Sequence, residues 1–167
     1  MSFIFFTFVF LKPDALSRDL VPNILSRLRK EELNIEIFTH IIVSQDKIFE
    51  HYAHKIVEEG SIYREKAISS FLGKPIIPII LSSVNKSIIF DVRKIIGATD
   101  PIKAERGTIR GDFGIDSMEK SNNEIRCCEN LIHASDSIES FNFEITLWFG
   151  KEIARNFMCY ELSLPSE

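Results

Sequence analysis

The chain has 167 residues, 45% of them hydrophobic and 26% charged, which is the balance of one ordinary folded domain and excludes a disordered or collagen-like chain. A net charge of -4 argues against a general nucleic-acid coat and against attraction to anionic membranes. It leaves room for a small anionic ligand held by local cations.

The first element, Phe3 to Leu11, is a strongly apolar run of Phe, Ile, Thr and Val. Such residues favour extended chain, and the run is far shorter than the ~20 residues needed to span a bilayer. No basic residue precedes it and no small-residue cleavage site follows, so it reads as a buried central strand of a cytoplasmic protein. The three cysteines, Cys127, Cys128 and Cys159, show no metal-ligand spacing and agree with a reducing compartment.

Lys12-Pro13-Asp14 ends that strand, and Ser17 to Glu32 has helical period, with Leu20, Ile24, Leu25 and Leu28 on one face. Ile35 to Val43 reads as a second strand, Gln45 to Ala53 as a short helix and Ser61 to Leu72 as a longer one. Ile76 to Leu81 is a third strand in which Pro78 predicts an edge or a bulge. Asn85 to Ile96 is a helix closed by Gly97, and a polar loop rich in Gly, Thr, Arg and Asp runs from Ala98 to Asp116. Asn130 to Ala134 is a fourth strand, Ser137 to Phe149 a helix capped by Ser137, and Lys151 to Glu167 an irregular tail. The order predicts a single α+β domain over residues 1–167, a ferredoxin-like sandwich with a four-stranded antiparallel sheet and helices packed on it.

Two features carry chemistry. In Asn130-Leu131-Ile132-His133-Ala134-Ser135-Asp136-Ser137 a short apolar step delivers one imidazole among small polar residues, with Glu144 on the following helix. Such a histidine can act as an oriented nucleophile or base, although a lone histidine between apolar residues is more often a satisfied structural side chain. The second feature is a set of cations: Lys12 at a strand end, Arg93 on a helix, and Arg110 between glycines in Arg106-Gly107-Thr108-Ile109-Arg110-Gly111-Asp112-Phe113, with the Thr99 hydroxyl nearby. Together they could clamp a polyphosphate; singly, each reads as a solvated surface group. No Walker loop or GxGxxG fingerprint is present in the sequence.

These blocks, with His51-Tyr52, Gly97-Ala98-Thr99-Asp100-Pro101 and Glu144-Ile145-Thr146-Leu147-Trp148-Phe149, occur in the order and rough spacing of nucleoside diphosphate kinases, and the chain resembles that family over nearly its whole length. The resemblance implies ping-pong transfer of a γ-phosphoryl group between nucleotides of broad base type. His133 would be the nucleophile, Glu144 would orient its ring, and Ser135 would be the hydroxyl beside it. Lys12, Tyr52, Arg93, Thr99 and Arg110 match positions that hold phosphates or line the site. Asn130 matches the asparagine that, with Lys12, contacts the sugar. The base-stacking aromatic falls on Tyr63 counting back from Pro75, and on Gly60 counting forward from Tyr52; Tyr63 is preferred. Mg²⁺ would arrive with the nucleotide, since the chain offers no dedicated carboxylate cage. The family forms homo-oligomers, and Pro101 favours a hexamer over a tetramer. No membrane or dedicated nucleic-acid partner is expected.

Three departures from the family pattern stand out. Residues 116–129 are longer than the family's link by about ten, and the insert from Ser117 to Glu124 reads as a solvated loop or a flap. Glu129 replaces a usual basic residue, which would put negative charge near a polyphosphate. Ala134 replaces a usual glycine, a mild change unless the position needs a positive φ. The alternative reading is a nucleotide-binding regulatory oligomer of the same fold without kinase activity. The intact set of Lys12, Arg93, Arg110, Asn130, His133 and Glu144 speaks against it.

Overall fold

The computed structural model describes residues 3–158. Its sheet contains β1 (Phe5–Leu11), β2 (Asn34–Phe38), β3 (Ile41–Ile42), β4 (Pro75–Ser83) and β5 (Ile132–Ala134). The order is β2-β4-β1-β5, β3 also pairs with β4, and every pairing is antiparallel. This is the expected α+β ferredoxin-like sandwich, with a fifth short strand. The segment from Ile35 to Val43 is two strands rather than one, because the chain breaks at Thr39 and His40.

Both faces of β1 are buried, which explains its unbroken apolar run. Val9 and Leu11 face a core completed by Ile24 and Leu28 of α2 (Val21–Lys30) and by Ile88, Val92 and Ile96 of α6 (Ile88–Ile96). Phe8 and Phe10 face the opposite core. There they meet Ile48 of α3 (Gln45–His51), Phe71 of α5 (Ser61–Phe71), and Phe141, Ile145 and Trp148 of α9 (Ile138–Phe149). Burying each such phenylalanine contributes about 2–3 kcal/mol.

Pro78 does not mark an edge. It lies inside β4, an interior strand, opposite Phe10 of β1. Its carbonyl accepts from Thr39 N–H, so its missing N–H falls on the side where β2 has ended and β3 has not begun. The break between those strands makes proline tolerable in mid-sheet.

The insertion is also more ordered than a solvated loop. It forms α8 (Met118–Asn123), capped by the Ser117 hydroxyl, which accepts from Lys120 N–H. Ser121, on its inner face, is fully buried. A bidentate ion pair between Asp116 and Arg126, at 2.5 and 2.9 Å, fastens its two ends together. Burial opposes the charge on Asp116, but hydrogen bonds from Arg126 and from the Glu129 and Ser117 N–H groups outweigh it and hold the carboxyl below its usual range.

The remaining helices are α1 (Pro13–Ser17), α4 (Ala53–Glu59), α7 (Ile109–Phe113) and α10 (Lys151–Ala154), with a 3-10 turn at Pro101–Lys103. The start of the expected irregular tail is therefore helical. Its part beyond residue 158, with Cys159, lies outside the described residues. No helix among the described residues is long and apolar enough to cross a membrane.

Candidate active site

Strand period two decides where His133 points. Ile132 and Ala134 turn into one core, so His133 between them turns to the other face. There its ring stacks on Phe10 at 4.8 Å and meets His51 edge-on at 4.6 Å. α9 brings Glu144 to it: His133 Nε2 lies 2.7 Å from Glu144 Oε1, and the Ser135 hydroxyl donates to Glu144 Oε2. With Nε2–H donated to the carboxylate, Nδ1 keeps the lone pair, and among the described residues it has no hydrogen-bond partner. Behind this pair His51 is buried, and its Nδ1 accepts from Trp148 Nε1–H at 3.4 Å. Burial, then the neighbouring His133 and His54, hold the His51 pKa well below its usual value, so that ring stays neutral.

The cations gather where β1 ends. Lys12 Nζ donates to Asn130 Oδ1 at 2.9 Å and to the Cys128 carbonyl. Asn130 Nδ2 donates in turn to the Thr99 carbonyl at 2.8 Å. Arg110 spreads its guanidinium over three carbonyls: Asn130 at 3.1 Å, Gly97 at 3.1 Å and Ile132 at 2.6 Å. Burial, then the charge of Arg93, lowers the Arg110 pKa to about 10. Burial likewise lowers the pKa of Lys12.

The backbone here is tightly turned. Leu131 has φ 72°, and Ile132 N–H closes onto the Asn130 carbonyl at 2.8 Å. A β-carbon-bearing residue in this region is strained and persists only where surroundings over-determine it. Here Asp14, buried in α1, accepts the Leu131 N–H at 2.9 Å, while Lys12 N–H donates to the Leu131 carbonyl at 2.9 Å.

The imidazole and the cations open into one cleft of about 1050 Å³. Lys12, Tyr52, Tyr63, Arg93, Thr99, Arg110, Asn130, His133 and Glu144 line it. Ser135 does not line it; it is buried behind Glu144. The rings of His133, His51, Tyr52 and Tyr63 follow one another at centroid spacings of 4.6, 4.6 and 5.4 Å, so Tyr63 marks the end away from the imidazole. The family model for nucleoside diphosphate kinase matches residues 6–153. The chain belongs to the nucleoside diphosphate kinase family, which catalyses phosphotransfer.

Named members of the family share much of the sequence. The chain is 37% identical over 147 residues to the nucleoside diphosphate kinase of Saccharomyces cerevisiae, covering 87% of this chain and 86% of that protein. It is 35% identical over 160 residues to nucleoside diphosphate kinase 1 of Pisum sativum, covering 96% and 95%. A solved structure, a transition-state mimic of the enzyme from Borrelia burgdorferi with bound vanadate and ADP, superposes with TM-score 0.82 at 28% identity. That superposition covers 96% of this chain and 94% of that one.

The departures from the kinase pattern take definite places. Glu129 does not face the main cleft; it lines a smaller neighbouring one, and its N–H is bound by Asp116. Ala134 lies in β5 and is not among the positive-φ residues, so the methyl group is accommodated. Two residues beyond the sequence expectation shape this candidate site, His51 beside the imidazole and Asp14 from behind the cleft. His51 had been legible only as part of a motif, because a histidine beside Ile48 reads as core. Asp14 works through the Leu131 N–H, 117 positions away, and no local pattern announces that.

Proposed function

We propose that this kinase transfers the γ-phosphoryl group of a nucleoside triphosphate through His133 in two half-reactions. The His133 Nδ1 lone pair attacks the γ-phosphorus, the bond from that phosphorus to the bridging oxygen breaks, and the diphosphate leaves with the electron pair. An incoming diphosphate oxygen then attacks the phosphorus and returns the electron pair to Nδ1. The observation that carries this reading is the 2.7 Å contact from Nε2 to Glu144, which fixes the tautomer that leaves Nδ1 nucleophilic.

The transition state is loose and gains mainly from positioning and charge. Arg110, Arg93 and the Thr99 hydroxyl would neutralise and orient phosphate oxygens, Tyr52 would wall the site, and Lys12 with Asn130 would meet the sugar hydroxyl. Tyr63 would stack the base, and stacking alone accepts every base, which supports broad exchange. Mg²⁺ would enter as part of the nucleotide. Near His133 the cleft carboxylates are already engaged, Glu144 by His133 and Ser135, and Asp136 by the Ser140 hydroxyl at 2.6 Å, so phosphates and water would hold the ion.

A homo-oligomer, a hexamer before a tetramer, is supported by exposed apolar side chains on the β2 edge, where Phe38 is 68% exposed, and beside Pro101, where Ile102 is 68% exposed. A cytoplasmic place fits the free thiols Cys127 and Cys128. Initial rates with donor and acceptor both varied test the route. Parallel double-reciprocal lines are expected, and intersecting lines would show direct transfer between two bound nucleotides.

A further inference from the structure

The far end of the cleft carries polar groups that phosphate transfer does not use. Lys66 lies one helical turn beyond Tyr63 on α5, and its ammonium sits 5.8 Å from the centre of the Tyr63 ring. It donates to Glu59 Oε2 at 2.9 Å and to Asn122 Oδ1 at 3.1 Å. Asn122 belongs to α8, inside the insertion, and all four side chains line the cleft. The insertion therefore closes a polar triad around the aromatic that marks the end away from His133.

The triad is held in place. Ser121, the neighbour of Asn122, is fully buried, and its carbonyl accepts from Arg126 N–H at 3.0 Å. Met118 N–H donates to Asp100 Oδ1 at 3.3 Å. Asp116 and Arg126 fasten the ends of the insertion. The Lys66 side chain is 12% exposed, so its ammonium is partly desolvated and its hydrogen bonds are stronger than those of a free lysine.

Its chemistry selects among bases. An ammonium has three donors, and among the described residues Glu59 and Asn122 take two of them. The third N–H of Lys66 is a donor beside Tyr63, and the two partners of that ammonium add the amide N–H groups of Asn122 as donors and the second oxygen of Glu59 as an acceptor at this end of the cleft. Guanine presents an acceptor at O6 next to donors at N1 and N2, which matches that pattern. Uracil offers the O4 and N3–H part of it. Adenine and cytosine present an amino group where the triad wants an acceptor. We infer that Glu59, Lys66 and Asn122 read the base edge and rank nucleotides with guanine first, uracil second, and adenine and cytosine last. The inference rests on the proposed nucleotide orientation, with phosphates at His133 and the base on Tyr63.

Calorimetric titration of the full-length protein with GDP, UDP, ADP and CDP, each with Mg²⁺, tests the ranking without needing transfer. GDP is expected to bind about tenfold more tightly than ADP, equivalent to about 1.4 kcal/mol. Glu59→Gln and Lys66→Met should each bring that ratio below about threefold, since each removes one base-edge hydrogen bond. Lys120→Ala, on the exposed side of α8, should keep the wild-type ratio. A wild-type ratio within about twofold, or one that survives both Glu59→Gln and Lys66→Met, would overturn the inference. A flat base profile in a protein that still forms phosphohistidine sinks this ranking alone. A GDP preference without phosphohistidine sinks the transfer route alone.

Discussion

Glu144 Oε1 lies 2.7 Å from His133 Nε2, and the two side chains meet from different elements, a helix and an edge strand. The other oxygen of the same carboxylate takes the Ser135 hydroxyl. With both oxygens committed, the carboxylate cannot swing, and the imidazole it holds presents one fixed nitrogen to the cleft.

Glu144→Gln tests the charge in that arrangement. The amide keeps the shape but stabilises a developing imidazolium poorly and can offer His133 the wrong group. Phosphorylation by nucleoside triphosphate, followed by rapid quench, should slow about ten- to a hundredfold. The KM for diphosphates should stay within about threefold, because Glu144 touches no phosphate in the proposed route. An effect confined to KM would contradict an orienting role.

Asp14→Ala should injure the site from a distance. It leaves the buried Leu131 N–H without its acceptor, a loss of about 1–3 kcal/mol. The turn that sets Lys12 and Asn130 would relax, so KM for diphosphates should rise along with a lower melting temperature. Asp14→Asn retains an acceptor oxygen and should recover most of both; no recovery would show that the charge, not the acceptor, matters.

Gly111 has no room for a side chain. A β-carbon there would stand 1.9 Å from the Glu105 carbonyl oxygen, a backbone atom that cannot swing aside. Gly111→Ala should destabilise the fold by about 3 kcal/mol and lower the melting temperature by about 6–12 °C. An unchanged melting curve would mean that α7, which carries Arg110, does not pack this closely on the Glu105 carbonyl.

His51 should leave an acid limb in the stability profile. Burial first, then His133 and His54, depress its folded pKa below the unfolded value, so its contribution is fully present above about pH 6.5 and is lost as pH falls. The unfolded chain binds a proton that the folded chain refuses. Each pH unit below that point should cost up to about 1.4 kcal/mol until the folded form also titrates. Denaturant unfolding of wild type and His51→Gln between pH 7 and 5 checks this, and the variant should show the shallower slope. Equal slopes would show that His51 charges freely in the fold.

The sandwich was legible because its signals are local or periodic, and the candidate site because its motifs resemble those of the family. Apolar runs announced β1 and β4, and the motifs around Arg110 and His133 named the cleft residues. What escaped depends on contacts between distant segments. Pro78 looked like an edge proline because the gap between β2 and β3 that accommodates it has no sequence mark. α4 escaped because it buries no residue and so shows no apolar face. α8 looked like a polar loop because a six-residue helix with one buried serine has no hydrophobic period; its order comes from Asp116 and Arg126 ten residues apart. Ser135 was expected as the hydroxyl beside His133; it reaches the imidazole through Glu144, donating to the carboxylate oxygen that His133 does not take.

The most direct test of the account is the chemical identity of the phosphoenzyme. Wild-type protein incubated with γ-labelled ATP and Mg²⁺ should carry an acid-labile, alkali-stable label. Peptide mapping should place it on His133, excess diphosphate should discharge it, and His133→Ala, still folded, should carry none. A label that is acid-stable, or that persists in His133→Ala, would contradict the account.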